Sequence, residues 1–71
     1  MNNKELKRYF DFFTYCWKFF KKYSTADNTE KYWEAVDSDS QAIAEKYGRT
    51  EFANKIILQI LLELKRLCEM K

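Results

Sequence analysis

Paired acidic side chains are the first candidates for chemistry in this chain of 71 residues. Asp37 and Asp39 flank one serine, and Glu30 and Glu34 have the spacing of neighbours on one face of a helix. Such pairs could hold a cation or divide the roles of acid and base. A catalytic carboxyl also needs burial to shift its pKa, whereas the glutamate pair is typical of a solvated helix face. We therefore expect no catalytic, metal or cofactor site.

The other reactive side chains narrow the chemistry further. Without histidine and with one glycine, Gly48, the chain cannot contain a histidine-based triad, a Walker loop or a dinucleotide-binding fingerprint. Cys16 and Cys68 are too far apart in sequence for a zinc motif. A disulfide between them is possible in principle, but both fall on or beside apolar helix faces, which favours reduced, structural thiols. We expect a protein that is not an enzyme.

The sequence does not have the pattern of a secretory signal or of a membrane span. Charged side chains interrupt the first 20 residues, and no apolar run approaches the roughly 18 residues of a membrane span. We therefore expect a cytoplasmic protein without a membrane span. Phe, Tyr, Met, Ile, Asn and Lys, whose codons are AT-rich, number 31, against 9 for Gly, Ala, Arg and Pro. This bias indicates a bacterial, phage or mobile-element gene.

Helices must position all of these side chains, because the chain has no proline and its glycine stands where a helix would end. We predict an all-α fold, a three-helix bundle with helices near 3–23, 28–47 and 51–70. A chain this short forms one domain at most, here 1–71, and its stability is expected to be marginal. Assembly with another chain would add to that stability.

Local signals mark the helix ends. Asn2 with Glu5, and Asp27 with Glu30, have the spacing of an N-cap and its returning acid, and Thr50 can cap the third helix. The weak point is "DSDS" at 37–40, because short polar side chains compete for backbone hydrogen bonds and a new helix could start there. We predict one continuous helix, since its apolar stripe keeps the same phase through this segment.

The first helix carries an aromatic stripe opposite a basic face. The stripe consists of Leu6, Tyr9, Phe10, Phe12, Phe13, Cys16, Trp17, Phe19, Phe20 and Tyr23. In so short a chain we interpret the whole stripe as domain core. The same pattern also occurs in membrane-surface helices and in stacking platforms for single-stranded nucleic acid.

Charge is distributed unevenly along the chain. Residues 1–23 carry six positive and two negative side chains, for a net charge of +4, whereas residues 24–48 carry two positive and six negative, for −4. Residues 49–71 contribute +2, which is also the net charge of the whole chain. Because exposed ion pairs contribute only about 0 to 1 kcal/mol each, we expect this asymmetry to set the orientation of the helices rather than their stability.

The third helix has apolar side chains on two faces. One broad stripe can pack on the other helices, but Leu58 and Leu62, spaced by four residues, lie on the far side with Leu61 at the seam and Lys65 beside them. A small monomer has little left to cover such a surface, and closed twofold dimers are the commonest oligomers. We therefore predict a homodimer with Leu58, Leu61, Leu62 and Lys65 in its interface.

The segment "AIAEKYGRTEFANKI", residues 42–56, resembles the helix-turn-helix signature, with Ile43, Ala44, Tyr47 and Gly48 matching its first helix and turn. In that family the next helix enters the major groove of DNA with its N-terminal side chains on base edges. The resemblance implies nucleic-acid contacts at Arg49, Thr50, Glu51, Phe52 and Lys55. Arg49 and Asn54 depart from the pattern, which has apolar residues there.

We expect a small cytoplasmic helical interaction or assembly protein that homodimerises, binds a protein partner and acts as an accessory or regulatory factor. The alternative is a DNA-binding regulator of the helix-turn-helix type that uses residues 42–56. Binding to duplex DNA is disfavoured because each phosphate contact needs a basic side chain. The helix that would enter the major groove is preceded by an acidic helix. No cofactor is expected in either case.

Overall fold

The computed structural model describes residues 1–25 and 27–70 and arranges them as three α-helices packed in a bundle. Helix α1 spans Asn3–Tyr23, α2 spans Glu30–Lys46 and α3 spans Glu51–Glu69. No strand occurs within the described residues, as the all-α prediction requires. Ala26 and Lys71, which the predicted single domain includes, lie outside them.

The first and third helices begin at the predicted caps. The Asn2 side-chain oxygen accepts a hydrogen bond from the Glu5 backbone N–H at 2.8 Å. The Thr50 hydroxyl oxygen accepts one from the Ala53 backbone N–H at 3.1 Å. Each bond satisfies an N–H group that a helix start leaves without a partner.

The predicted start of the second helix is wrong by two residues. Thr29, and not Asp27, is the N-cap: its hydroxyl oxygen accepts from the Tyr32 backbone N–H at 3.1 Å and donates to the Asp27 carboxylate at 3.0 Å. Asn28 adopts a left-handed backbone with φ of 56°, so the helix can begin only after it. Asp27 supports the cap instead of forming it.

The turn between α2 and α3 contains two consecutive left-handed residues. Gly48 has φ of 72°, as predicted for a residue that ends a helix, and Arg49 follows with φ of 51°. The Arg49 N–H donates to the Ala44 carbonyl at 2.8 Å and the Gly48 N–H to the Glu45 carbonyl at 3.1 Å. These bonds close α2 at Lys46, one residue before its predicted end.

Helix α2 is continuous through residues 37–40, as predicted. Ser40 is buried, and its hydroxyl donates to the Asp37 backbone carbonyl at 2.9 Å. This bond within the helix satisfies the hydroxyl without a partner from another element. The serine-rich segment is therefore compatible with the helix and with the core.

Two clusters of buried side chains form the core along an elongated bundle measuring 43 × 18 × 17 Å. One contains Phe12, Cys16, Ala44, Tyr47, Ala53 and Ile57, and the other contains Phe19, Tyr23, Tyr32, Val36, Leu64 and Cys68. The Phe12 ring lies 5.1 Å from that of Tyr47, and the Tyr9 ring lies 5.4 Å from that of Phe52. Helices α1 and α3 therefore run parallel, with α2 antiparallel between them in the chain.

The prediction that the whole aromatic stripe of α1 is core is wrong. Its buried members are Phe12, Cys16, Phe19 and Tyr23, whereas Leu6, Phe10, Phe13 and Trp17 are exposed. A helix in a three-helix bundle is covered only on the arc that faces its two neighbours. An apolar arc as broad as that of α1 therefore extends beyond the core.

A polar contact joins α1 to α2. The Tyr23 hydroxyl donates to the Asp39 carboxylate at 2.5 Å, and the Lys22 ammonium donates to the same oxygen at 3.1 Å. The Tyr23 hydrogen bond, together with Lys22, lowers the pKa of Asp39. Among the ion pairs of the described residues, Lys22–Asp39 is the one that links two helices.

Two leucine substitutions should separate the core from the exposed stripe. Leu64 is 0% exposed, so Leu64→Ala should lower the free energy of unfolding by about 2–5 kcal/mol through lost burial and a cavity. Leu6 is 60% exposed, so Leu6→Ala should change it by less than about 0.5 kcal/mol. Urea denaturation followed by far-UV circular dichroism measures both, and equal losses would contradict the assignment of the core.

Candidate interaction surfaces

The predicted interface residues lie together on the side of α3 that borders α2. Leu58 and Leu62 are each 51% exposed, Leu61 is half-buried and Lys65 is exposed. We call Leu58, Leu61, Leu62 and Lys65 the α3 surface. Leu61, Leu62 and Lys65 line a groove of about 440 Å³ between α2 and α3, and Leu58 lies one turn earlier on α3.

Trp33 forms the α2 wall of this groove. Its indole N–H donates to the Asn28 side-chain carbonyl at 2.9 Å, and its ring lies edge-on to Tyr32, with centroids 4.9 Å apart. The indole is thereby held with part of its ring exposed. The walls of the groove are mostly apolar. Its rim carries the acidic side chains of Asp37 and Glu69 and the basic side chain of Lys65.

A second apolar surface, which the sequence analysis missed, lies on α1. It consists of Leu6, Phe10, Phe13 and Trp17, exposed by 60, 68, 49 and 60%, together with the half-buried Phe20. We call these five residues the α1 surface. Their spacing of four, three, four and three residues places them in one narrow line along the helix. That spacing, inside a stripe too broad for one core face, is the signal that could have revealed it.

Phe52 of α3 adjoins the α1 surface. Its ring lies 6.1 Å from that of Phe13 and 5.8 Å from that of Phe12, both measured between centroids. Aromatic pairs at these separations are attractive in edge-on and tilted arrangements. The helix-turn-helix resemblance implied a nucleic-acid contact at Phe52, whereas the ring packs against α1 and remains partly exposed.

Lysines border the α1 surface along one edge. Three lysines directly follow members of the α1 surface in sequence. Lys7 follows Leu6, Lys18 follows Trp17 and Lys21 follows Phe20. Lys7 is 4.0 Å from Asp11, whereas Lys18 and Lys21 form no ion pair within residues 1–25 and 27–70. The edge of the surface is therefore electropositive.

The residues implied by the helix-turn-helix resemblance cluster at the start of α3, but their charges are paired. The Arg49 guanidinium donates to the Gln41 side chain at 2.8 Å and lies 4.0 Å from the Glu45 carboxylate. Lys55 forms an ion pair with Glu51 at 2.8 Å, and Thr50 caps the helix. Arg49 and Lys55 would have to leave these partners to bind phosphate.

The acidic pairs do not converge on a site. Glu30, Glu34 and Asp37 are exposed, and Asp39 is bound to Tyr23 and Lys22. Within the described residues, no three cysteine, aspartate or glutamate side chains lie close enough together to hold a metal ion. The same residues contain no helix that is long and apolar enough to cross a membrane.

Both cysteines are free and buried, in different core clusters. Cys16 lies with Phe12 and Ile57, where burial raises the pKa of its thiol to about 11. Cys68 lies with Tyr32 and Leu64 in the other cluster. This placement agrees with the interpretation of both as structural thiols.

The two apolar surfaces are the features of this structure from which a function can be inferred. Comparison with protein-family models, curated proteins and solved structures finds no match to this chain. The α3 surface borders α2, and the α1 surface borders the start of α3 through Phe52. A single partner helix cannot cover both surfaces. The molecule that binds each surface must therefore be inferred separately.

The thiols should be protected in the native protein. With its pKa raised to about 11, Cys16 has little thiolate at pH 8, and burial restricts access to both sulfurs. Ellman's reagent should therefore react slowly before unfolding and titrate two thiols in denaturant, and reductant should leave the melting temperature unchanged. A Cys68→Ser variant, as control, should titrate one. Freshly purified, denatured protein without free thiols would demonstrate a disulfide.

Proposed function

We propose that this protein is a small cytoplasmic interaction module that homodimerises through the α3 surface and acts as an accessory or regulatory factor by binding a protein partner. The observation that supports the dimer is the 51% exposure of both Leu58 and Leu62, one turn apart on α3. Fully burying a leucine side chain stabilises by about 1.5–3 kcal/mol relative to exposing it. Leu58 and Leu62 are already about half-buried, so covering the rest would gain roughly half of that amount for each of the four leucines in a twofold contact. That gain still matters to a domain of marginal stability.

The shape beside these leucines suits a twofold contact. Such a contact is self-complementary, so the surface must carry both a projection and a recess. Leu58 and Leu62 project from α3, and the groove lined by Trp33 and Leu61 lies next to them. The leucines of one copy can enter the groove of the other copy, and the reverse contact forms by symmetry.

The rim of the groove supports the same arrangement. Lys65 on α3 lies across the groove from Asp37 on α2. In a twofold dimer each lysine can approach an acidic side chain of the other copy. A polar rim around an apolar centre is the usual anatomy of a protein interface.

A DNA-binding regulator of the helix-turn-helix type is the second candidate. It is favoured by the turn in which Gly48 and Arg49 are both left-handed and Thr50 caps α3. The pairing of Arg49 with Gln41 and of Lys55 with Glu51 makes it the weaker candidate. Each phosphate contact would have to replace one of these existing interactions.

The dimer is tested by sedimentation equilibrium. Leu58→Glu combined with Leu62→Lys should give a monomer, because charged side chains cannot remain in a dry interface without partners. Lys4→Glu alters an exposed residue on α1, outside the α3 surface, and should remain a dimer like the wild type. A wild type that is monomeric at tens of micromolar, or a double variant that stays dimeric, would rule out this interface.

DNA binding is tested by footprinting and by anisotropy at several salt concentrations. Duplex and single-stranded DNA should bind weakly, without sequence preference, and lose affinity steeply as salt rises. A specific footprint at moderate salt that disappears in Lys55→Ala would favour the helix-turn-helix candidate. Lys31→Ala, an exposed lysine on α2 away from residues 42–56, is the matched control.

A further inference from the structure

The α1 surface is an exposed apolar line that the proposed dimer leaves uncovered. We propose that it docks an amphipathic helix of another protein whose apolar stripe is flanked by acidic side chains. This inference names the chemistry of the protein partner and rests on the proposed role as an interaction module. It does not depend on the α3 dimer, which uses a different surface.

The spacing of the α1 surface favours a helix as its occupant. Leu6, Phe13 and Phe20 are separated by seven residues, and Phe10 and Trp17 alternate with them. This is the a and d pattern of a heptad seam, which packs against another helix by knobs-into-holes contacts. From Leu6 to Phe20 the seam is about 21 Å long, enough for four turns of a partner helix.

Helix α3 provides a second wall for the same partner. Phe52 is partly exposed beside Phe13, and Ile56 and Leu67 are half-buried on the same side of α3. Because α1 and α3 run parallel, an antiparallel helix placed in the angle between them would complete a four-helix bundle. The large aromatic side chains of the seam would pack best against alanine and leucine on that helix.

Charge identifies the flanks of the partner. With Leu6, Phe13 and Phe20 at the d positions, Lys7 and Lys21 occupy e positions, where coiled coils form ion pairs between helices. Lys21 forms no ion pair within the described part of the chain. Lys7 has a long contact, 4.0 Å, with the Asp11 carboxylate. Glutamates at the facing positions of a partner would pair with both lysines.

A second copy of this chain does not meet these requirements. Pairing α1 with α1 of another copy would bring basic helices together, since residues 1–23 carry a net charge of +4. The acidic helix α2 presents a polar outer side instead of an apolar stripe. Its exposed residues are Glu30, Lys31, Glu34, Asp37, Ser38, Gln41, Ala42, Glu45 and Lys46. Helix α3 of a second copy has exposed leucines, but residues 49–71 carry a net charge of +2 and do not supply the acidic flanks. The occupant is therefore a different protein.

The probe is a fluorescein-labelled synthetic peptide of four heptads with alanine at a, leucine at d and glutamate at e and g. Its glutamates repel each other, which keeps it from pairing with itself. The wild-type protein should bind this peptide saturably by fluorescence anisotropy. A second peptide with lysine in place of every e and g glutamate should bind at least about tenfold more weakly.

Variants assign the binding to the α1 surface. Phe10→Ser with Trp17→Ser should weaken binding of the acidic peptide at least about tenfold, with unchanged circular dichroism because both residues are exposed. Lys7→Glu with Lys21→Glu should weaken the acidic peptide and strengthen the basic one, a reversal that misfolding cannot produce. Leu58→Glu with Leu62→Lys should leave peptide binding unchanged, which separates this result from that of the dimer.

Three outcomes would overturn the proposal. The first is that the acidic peptide does not bind the wild type, and the second is that the two peptides bind equally. The third is that Phe10→Ser with Trp17→Ser leaves binding unchanged. Binding to anionic lipid is tested separately, by sedimentation of the protein with vesicles of phosphatidylcholine and phosphatidylserine. Sedimentation with these vesicles that is lost in the Phe10 and Trp17 variant, without binding of the acidic peptide, would instead assign the surface to anionic lipid.

Discussion

Each helix of this chain can bury only the arc of side chains that faces the other two helices, and α1 carries more apolar residues than that arc can hold. The apolar residues of α1 form two lines with the same heptad-like spacing. The buried line consists of Phe12, Cys16, Phe19 and Tyr23, and the exposed line consists of Leu6, Phe10, Phe13, Trp17 and Phe20. The two lines are about 110° apart around the helix. One of them must face outward in any three-helix arrangement, and the same limit leaves Leu58 and Leu62 outside on α3.

Local chemistry made the helices predictable from sequence. Asn2, Thr50 and Gly48 act within one or two turns of their own positions, so their types were enough to predict three helix ends. The start of α2 was not predictable in this way, because Asp27 and Thr29 are both good caps. The left-handed backbone of Asn28 between them decides in favour of the second.

The breadth of the apolar stripe on α1 could have indicated that part of it lies outside the core, but sequence alone does not identify which part. Periodicity shows that apolar residues share one side of a helix, but not how much of that side the neighbouring helices cover. Phe12 and Phe13 are adjacent in sequence and both aromatic, yet one is buried and the other is half exposed beside Phe52. That difference depends on where α3 lies, which is a property of the whole fold. The groove between Trp33 and Leu61 depends in the same way on the spacing of α2 and α3.

The exposed aromatic line of α1 also bears on how long a copy of this protein persists in a cell. Exposed apolar side chains in a small domain invite aggregation, and cells continually remove chains that are marginally stable. A ligand that binds only the folded state raises the free energy of unfolding, by about 2.7 kcal/mol at one hundred times its dissociation constant. The heptad line exists as a surface only while α1 is helical, so an occupant would bind folded copies alone. The abundance of the protein would then follow the abundance of whatever covers it.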